Sequence, residues 1–189
     1  MSAIVDPTVP LFSQAFGDGL RVIGFQDTPN SLNGTEGDDR IIGRDLGDVL
    51  FGLADDDLLF GGGGNDTLNG GPGDDTILGG NGDDLLIGES GSDVLFGQDG
   101  NDTLIGGTDE DTLFGGEGED VFSFSPDADG RKIDTVGDFD PSEDVIRLNG
   151  VAPDALVEYD PESGLLSVDG ISIAQLAVGL ELAAENFEI

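Results

Sequence analysis

Ten aspartates recur at nine-residue intervals without one insertion or deletion: Asp39, Asp48, Asp57, Asp66, Asp75, Asp84, Asp93, Asp102, Asp111 and Asp120. Carboxylates brought together at strand spacing would repel one another strongly unless something neutralised them. A hard cation that takes several oxygen ligands does so, and Ca²⁺ suits a flexible loop better than Mg²⁺. The chain has no His and no Cys, which excludes a soft-ligand zinc or copper site. The same lack leaves no conventional catalytic triad and no zinc protease motif. The expectation is a metal-binding protein that is not an enzyme.

The residues around each aspartate say what positions it. Two places after each aspartate, on the apolar side, the phase is equally strict. The unit opens with Gly in all ten copies (34, 43, 52, 61, 70, 79, 88, 97, 106 and 115), and its eighth residue is always large and apolar, from Ile41 to Phe122. Positions one to six are turn chemistry, while seven to nine are short and β-prone, with the eighth residue on one face. A three-residue strand cannot bury an apolar face alone, so units must stack. With two units per turn, copies 18 residues apart lie on the order of 4.8 Å apart, and five coils make a rod roughly 24 Å long. Odd copies then stack their aspartates along one edge and even copies along the other.

These copies resemble the repeat-in-toxin (RTX, haemolysin-type) calcium-binding nonapeptide, Gly-Gly-x-Gly-x-Asp-x-apolar-x. The resemblance implies an all-β fold: a right-handed parallel β-roll (a β-solenoid) with an N-terminal cap and a C-terminal β-rich cap. It also implies one Ca²⁺ between successive turns on the same edge. Carbonyls at positions two and four plus the Asp of one turn would meet carbonyls at positions one and three plus the Asp of the next. On this chain, Gly62, Gly64 and Asp66 would face Gly79, Asn81 and Asp84. Gly71, Gly73 and Asp75 would face Gly88, Ser90 and Asp93, and Gly80, Gly82 and Asp84 would face Gly97, Asp99 and Asp102. The series continues with Gly91 and Asp93 against Gly106, Thr108 and Asp111, then Gly100 and Asp102 against Gly115, Glu117 and Asp120. Four gaps per edge give up to about eight ions.

Departures from the pattern fall mainly in the early copies. Position four is Leu46 in copy two, and Leu, unlike Asp55 or Asp109, tolerates left-handed backbone poorly. Beyond copy ten, Asp129 keeps the register as an eleventh sixth-position Asp and could close a last site against Gly107, Asp109 and Asp111. The stretch from Ser125 to Val136 touches the EF-hand pattern through Asp127, Asp129 and Gly130, but lacks its first and twelfth acids. Overall, 41 acids against 6 bases give −35, and the tract 33–122 carries 23 acids and 2 Arg, or −21. Such self-repulsion, with so many glycines, predicts a tract that folds only when divalent ions neutralise it. It also argues against nucleic acid and other anionic partners.

Residues 1–32 read as an N-terminal cap with Phe12, Phe16, Val22, Ile23 and Phe25, residues 33–122 as the calcium roll, and 123–189 as a C-terminal cap. In the last, Leu156–Tyr159, Gly164–Val168 and Ile171–Ile173 are expected strands, with turns at Asp160–Ser163 and Asp169–Gly170. The segment Ile133–Leu148 resembles the one that commonly follows RTX repeats. The terminus Glu185–Ile189 resembles the uncleaved signal of type I secretion substrates, though it would equally finish a cap strand. No classical signal peptide and no membrane span are expected. An outward apolar row on the odd copies, Ile42, Phe60, Leu78, Phe96 and Phe114, offers a face for a protein or polysaccharide partner, or for the caps. Two readings follow: a secreted, non-enzymatic calcium-binding protein of a Gram-negative-type bacterium, or a cell-surface recognition module on the same scaffold.

Overall fold

The computed structural model describes residues 14–16, 19–126 and 132–189. The Phe12 contribution to the N-terminal cap, the eleventh aspartate Asp129 and the EF-hand-like Asp127, Asp129 and Gly130 lie outside the described residues.

The chain enters through β1 (Gln14–Phe16), β2 (Gly19–Ile23) and β3 (Ser31–Asn33). The repeats form β4 (Arg40–Asp45), β5 (Val49–Phe51), β6 (Leu58–Gly63), β7 (Thr67–Pro72), β8 (Thr76–Asn81), β9 (Leu85–Ser90), β10 (Val94–Asp99), β11 (Thr103–Thr108), β12 (Thr112–Glu117) and β13 (Val121–Phe124). After them come β14 (Asp134–Val136), β15 (Val145–Leu148), β16 (Val157–Asp160), β17 (Leu165–Val168), β18 (Ile171–Gln175) and β19 (Phe187–Glu188).

Alternate strands join alternate sheets. One sheet runs β1-β2-β4-β6-β8-β10-β12-β14-β18-β17-β16 and the other β19-β15-β13-β11-β9-β7-β5-β3. Within the repeats every pairing is parallel and joins residues 18 apart, as Leu59 with Ile77 and Leu86 with Leu104. Two nonapeptides therefore make one turn of a parallel β-roll. Stacking puts the eighth residues between the sheets, and all ten, from Ile41 to Phe122, are fully buried. The first nine of these residues, Ile41 to Leu113, are all Leu or Ile, so the interior is a uniform thin slab rather than a jigsaw.

All the repeat strands but β5 are longer than the three-residue strands the sequence predicts. Strand β6, for example, runs from Leu58 to Gly63, six residues that reach into position three of the next unit. Turn residues lie directly over turn residues one coil away, so the ladder continues through them: Gly62 pairs with Gly80 and Gly63 with Asn81. Identical stacking supplies partners even where the backbone is no longer extended.

The ladders run on past the nonapeptides at both ends. Parallel pairing joins β2 to β4 and β3 to β5 at the start. At the far end it joins β12 to β14, β13 to β15 and β15 to β19. Phe187 and Glu188 thus close the second sheet as a strand, and Arg147 Nε donates to Glu188 Oε2 at 2.8 Å. An antiparallel β16–β17–β18 meander finishes the first sheet, turning at Asp169 and Gly170, both at positive φ. At the N-terminal end Val22 and Leu32 join the core, whereas Phe25 is exposed.

Leu46 departs from expectation. It sits at φ 71°, with Arg44 at 104° and Leu53 at 96°, because the flanking coils dictate the turn conformation regardless of residue type. That conformation costs a non-glycine residue roughly 1–2 kcal/mol. Leu46 is also exposed, so its side chain recovers little by burial. Leu46→Gly is therefore expected to stabilise the calcium-loaded roll by about 0.5–1 kcal/mol after the entropy of the added glycine, read as a higher denaturant midpoint.

Candidate metal centre

Each sixth-position aspartate leaves its turn with the carboxylate directed inward, and all ten are nearly inaccessible. One oxygen of each is accounted for. Asp48 N–H donates to Asp66 Oδ1 at 2.6 Å, Asp66 to Asp84 at 2.7 Å, Asp84 to Asp102 and Asp102 to Asp120 at 2.8 Å. The odd edge repeats this from Asp39 through Asp57, Asp75 and Asp93 to Asp111, at 2.7–2.9 Å. The second oxygen is not. From Asp48 to Asp120, nine consecutive Oδ2 atoms are buried without a hydrogen-bond partner. A buried carboxylate oxygen left without a donor is among the costliest groups a fold can hold. Nine in register are consistent with ligands for a cation.

The turns bring backbone oxygens to the same gaps. Positions two and four adopt positive φ in every copy from two to ten, whether glycine or not. At copy six this matters for space as well as conformation: a Cβ on Gly80 would strike the Gly62 carbonyl, and one on Gly82 the Gly64 carbonyl. Those two carbonyls therefore point along the stack from copy four into copy six. Position one answers from the other side, since a Cβ on Gly61 would meet both Asp66 Oδ2 and, at 2.6 Å, the Gly79 carbonyl. The Asn81 carbonyl also faces copy four, accepting Gly64 N–H at 2.8 Å.

The turn that carries Gly62, Gly64 and Asp66 thus stacks against the turn that carries Gly79, Asn81 and Asp84. The contacts of Gly73 N–H to Ser90 O, Gly82 N–H to Asp99 O, Gly91 N–H to Thr108 O and Gly100 N–H to Glu117 O carry the arrangement along both edges. The third-position carbonyls each use one lone pair in these bonds and keep one for a cation. Among the described residues no three acidic side chains converge on one point. Each gap instead pairs two ladder carboxylates with backbone oxygens, an all-oxygen set that fits Ca²⁺.

Electrostatics give the same account. Burial, opposed by the amide hydrogen bond, pushes Asp57, Asp66, Asp75 and Asp84 up to about 7, and neighbouring carboxylates add to the rise. Burial likewise takes Asp93, Asp102 and Asp120 to about 6 and Asp111 to about 8. Carboxylates raised this far favour a proton or a metal over standing alone.

The ends show what sequence reasoning missed. Asn30 heads the even ladder, its Nδ2 donating to Asp48 Oδ1 at 2.8 Å and its own N–H to the same oxygen. Asp134 and Asp144 continue the two ladders, accepting from Asp111 N–H at 3.0 Å and Asp120 N–H at 3.1 Å. Asp134, not a residue in strict nine-residue register, takes the odd-edge place after Asp111. The signal was present as Asn30-Ser31-Leu32, Asp134-Thr135-Val136 and Asp144-Val145-Ile146, each an Asx-x-apolar triplet without the glycine-rich lead. Copy one is self-contained, because Thr35 N–H and Oγ1 both bond Asp39 Oδ2.

The outward odd row is half-buried by its own neighbours. Phe96 and Phe114 stack with centroids 5.0 Å apart, and the Arg40 guanidinium lies 4.8 Å over the Phe60 ring.

The family model for the RTX calcium-binding nonapeptide repeat (4 copies) matches residues 27–45, 42–77, 60–95, 69–104 and 96–129, together more than half of the chain. None of the curated proteins matches the sequence. Among solved structures, the extracellular lipase LipA from Serratia marcescens is 17% identical, with a TM-score of 0.34. That likeness covers 90% of this chain and 42% of the lipase, so the chain spans less than half of the lipase's length. The AlgE6R3 subunit from the Azotobacter vinelandii mannuronan C5-epimerase is 24% identical, with a TM-score of 0.32, over 77% of this chain and 80% of that one.

Proposed function

The chain belongs to the RTX calcium-binding nonapeptide repeat family, and from that premise we propose that it is a secreted, non-enzymatic module whose folding is switched on by calcium. Up to about eight ions occupy the gaps between stacked turns. At the low calcium of a cytosol the acidic, glycine-rich tract stays unfolded; at millimolar calcium outside the cell it closes into the roll. Binding free energy is then folding free energy.

The observation that carries this reading is the run of nine buried, partnerless Asp Oδ2 atoms in two registered ladders. The repeat tract's −21 charge supports it, since eight divalent ions nearly cancel it. Equilibrium dialysis of the full chain against Ca²⁺ tests it, with Mg²⁺ in parallel. Uptake of several Ca²⁺ per chain at sub-millimolar to millimolar concentration, with little Mg²⁺, is expected. No uptake, or equal uptake of both ions, would contradict it.

A further inference from the structure

Beside the buried aspartates runs a second, outer ladder built from the fifth position of the repeat. On the odd edge Asp56 N–H donates to Asp38 Oδ1 at 3.3 Å, Asp74 N–H to Asp56 Oδ1 at 2.9 Å and Ser92 N–H to Asp74 Oδ1 at 2.8 Å. On the even edge Asp83 N–H donates to Asn65 Oδ1 at 3.2 Å, Asn101 N–H to Asp83 Oδ1 at 3.1 Å and Glu119 N–H to Asn101 Oδ1 at 2.9 Å. The six accepting residues are exposed, so burial makes no demand on them. Asp and Asn serve alike, and what they share is an acceptor oxygen rather than a charge.

The two ladders run in opposite senses. A sixth-position N–H meets the carboxylate of the coil ahead, as Asp66 with Asp84, whereas a fifth-position N–H meets the side chain of the coil behind, as Asp83 with Asn65. That second N–H belongs to the peptide whose carbonyl is the fourth position. A planar trans peptide points its N–H and C=O to opposite sides, so an N–H held from behind aims the fourth-position carbonyl ahead. The stacking agrees: a Cβ on Gly91 would strike the Gly73 carbonyl, one on Gly100 the Gly82 carbonyl and one on Gly118 the Gly100 carbonyl. These carbonyls are among those that the repeat pattern assigns to the cation. Gly73 has no side chain to restrain its own backbone, so the residue by itself does not hold its carbonyl in that direction.

We propose that the fifth-position Asp and Asn side chains are positioning residues for the calcium gaps: by gripping a peptide of the coil ahead, each aims that coil's fourth-position carbonyl at the ion. They touch no ion themselves. The role falls on a repeat position that the nonapeptide pattern leaves open to any residue. The inference rests on the calcium reading above.

Calcium binding by the full-length chain, by Asp56→Ala and by Asp56→Asn tests it, with crystal structures of all three loaded with Ca²⁺. Asp56 Oδ1 holds the Gly73–Asp74 peptide, so the gap affected lies between copies five and seven. Asp56→Asn drops the charge but keeps an acceptor oxygen, and is expected to bind as the wild type does. Asp56→Ala is expected to bind calcium about two- to threefold more weakly. Its ion count and β-roll should be retained, with the Gly73 carbonyl turned off the ion. A Gly73 carbonyl still about 2.3–2.6 Å from the ion in Asp56→Ala would mean that the stacked coils aim it unaided, and would overturn the inference whatever happens to stability. Asp56→Asn as weak as Asp56→Ala would assign the effect to charge and overturn it as well. Both of those outcomes leave the calcium roll intact, whereas no calcium on the wild-type chain would overturn the calcium reading and the inference together.

Discussion

Replacing Asp84 by alanine is expected to remove two calcium ions, not one. Asp84 stands between the Asp66 gap below and the Asp102 gap above, linked to each by a ladder hydrogen bond of 2.7 and 2.8 Å. Its loss leaves each gap with a single carboxylate, and it strips Asp66 N–H of its acceptor inside the roll. The orphaned amide alone costs about 1–3 kcal/mol, and the lost ions remove binding energy that the fold depends on. The calcium midpoint for folding should rise several-fold and the ion count should fall by two. Asp83→Ala is the matched control. Its neighbouring carboxylate is exposed and accepts only Asn101 N–H at 3.1 Å, so its effect should be small. Equal effects from the two variants would mean that the ladder aspartates hold no metal.

Acid is expected to substitute for calcium. The eight ladder carboxylates from Asp57 to Asp120 are raised by burial from 3.8 to between about 6 and about 8 in the folded roll. A group whose folded pKa lies above its unfolded value binds its proton more tightly in the fold. Its contribution to stability is therefore fully present below about pH 4 and is lost as pH rises through about 6–8. Asp48 and Asp144 are raised as well, so ten carboxylates shift in this sense, and their protonation also relieves the ladder repulsion. Asp109, Asp140 and Asp160 are lowered by exposed side-chain hydrogen bonds, to Lys132, Ser142 and Ser163 respectively, and work weakly in the opposite direction. In calcium-stripped buffer the chain should gain β-structure near pH 4.5 and lose it near pH 8. With calcium present the order reverses, because ions must displace those protons: the calcium midpoint should be higher at pH 5.5 than at pH 7.5. Circular dichroism at the four conditions checks the sign. A calcium-stripped coil at both pH values would contradict the buried-carboxylate account.

The roll was legible because three residue types are locked in one phase. A glycine, an aspartate and an apolar residue repeating every nine positions leave two units per coil as the stacking that buries the eighth residue, and the 18-residue register bears this out. What was not legible depends on neighbours rather than on the unit. Strand β6 is twice its expected length because the coil above lends hydrogen-bond partners to its turn. Leu46 holds a left-handed conformation because its neighbours in the stack require it. Asn30, Asp134 and Asp144 extend the ladders from segments whose turns carry no glycine-rich signature. Asp138 accepts Gly115 N–H and Gly116 N–H on its side chain, where Gly52 and Leu53 donate to backbone carbonyls, and no spacing rule announces that.

Far-UV circular dichroism of the full chain during a Ca²⁺ titration, with Mg²⁺ as control, tests the central claim most directly. The account predicts a coil in chelator and a cooperative rise of β-structure at about 0.1–1 mM Ca²⁺, with no transition in the same range of Mg²⁺. A complete β-roll in chelator at neutral pH would mean that nine buried, partnerless carboxylate oxygens are tolerated without a cation, and would contradict it.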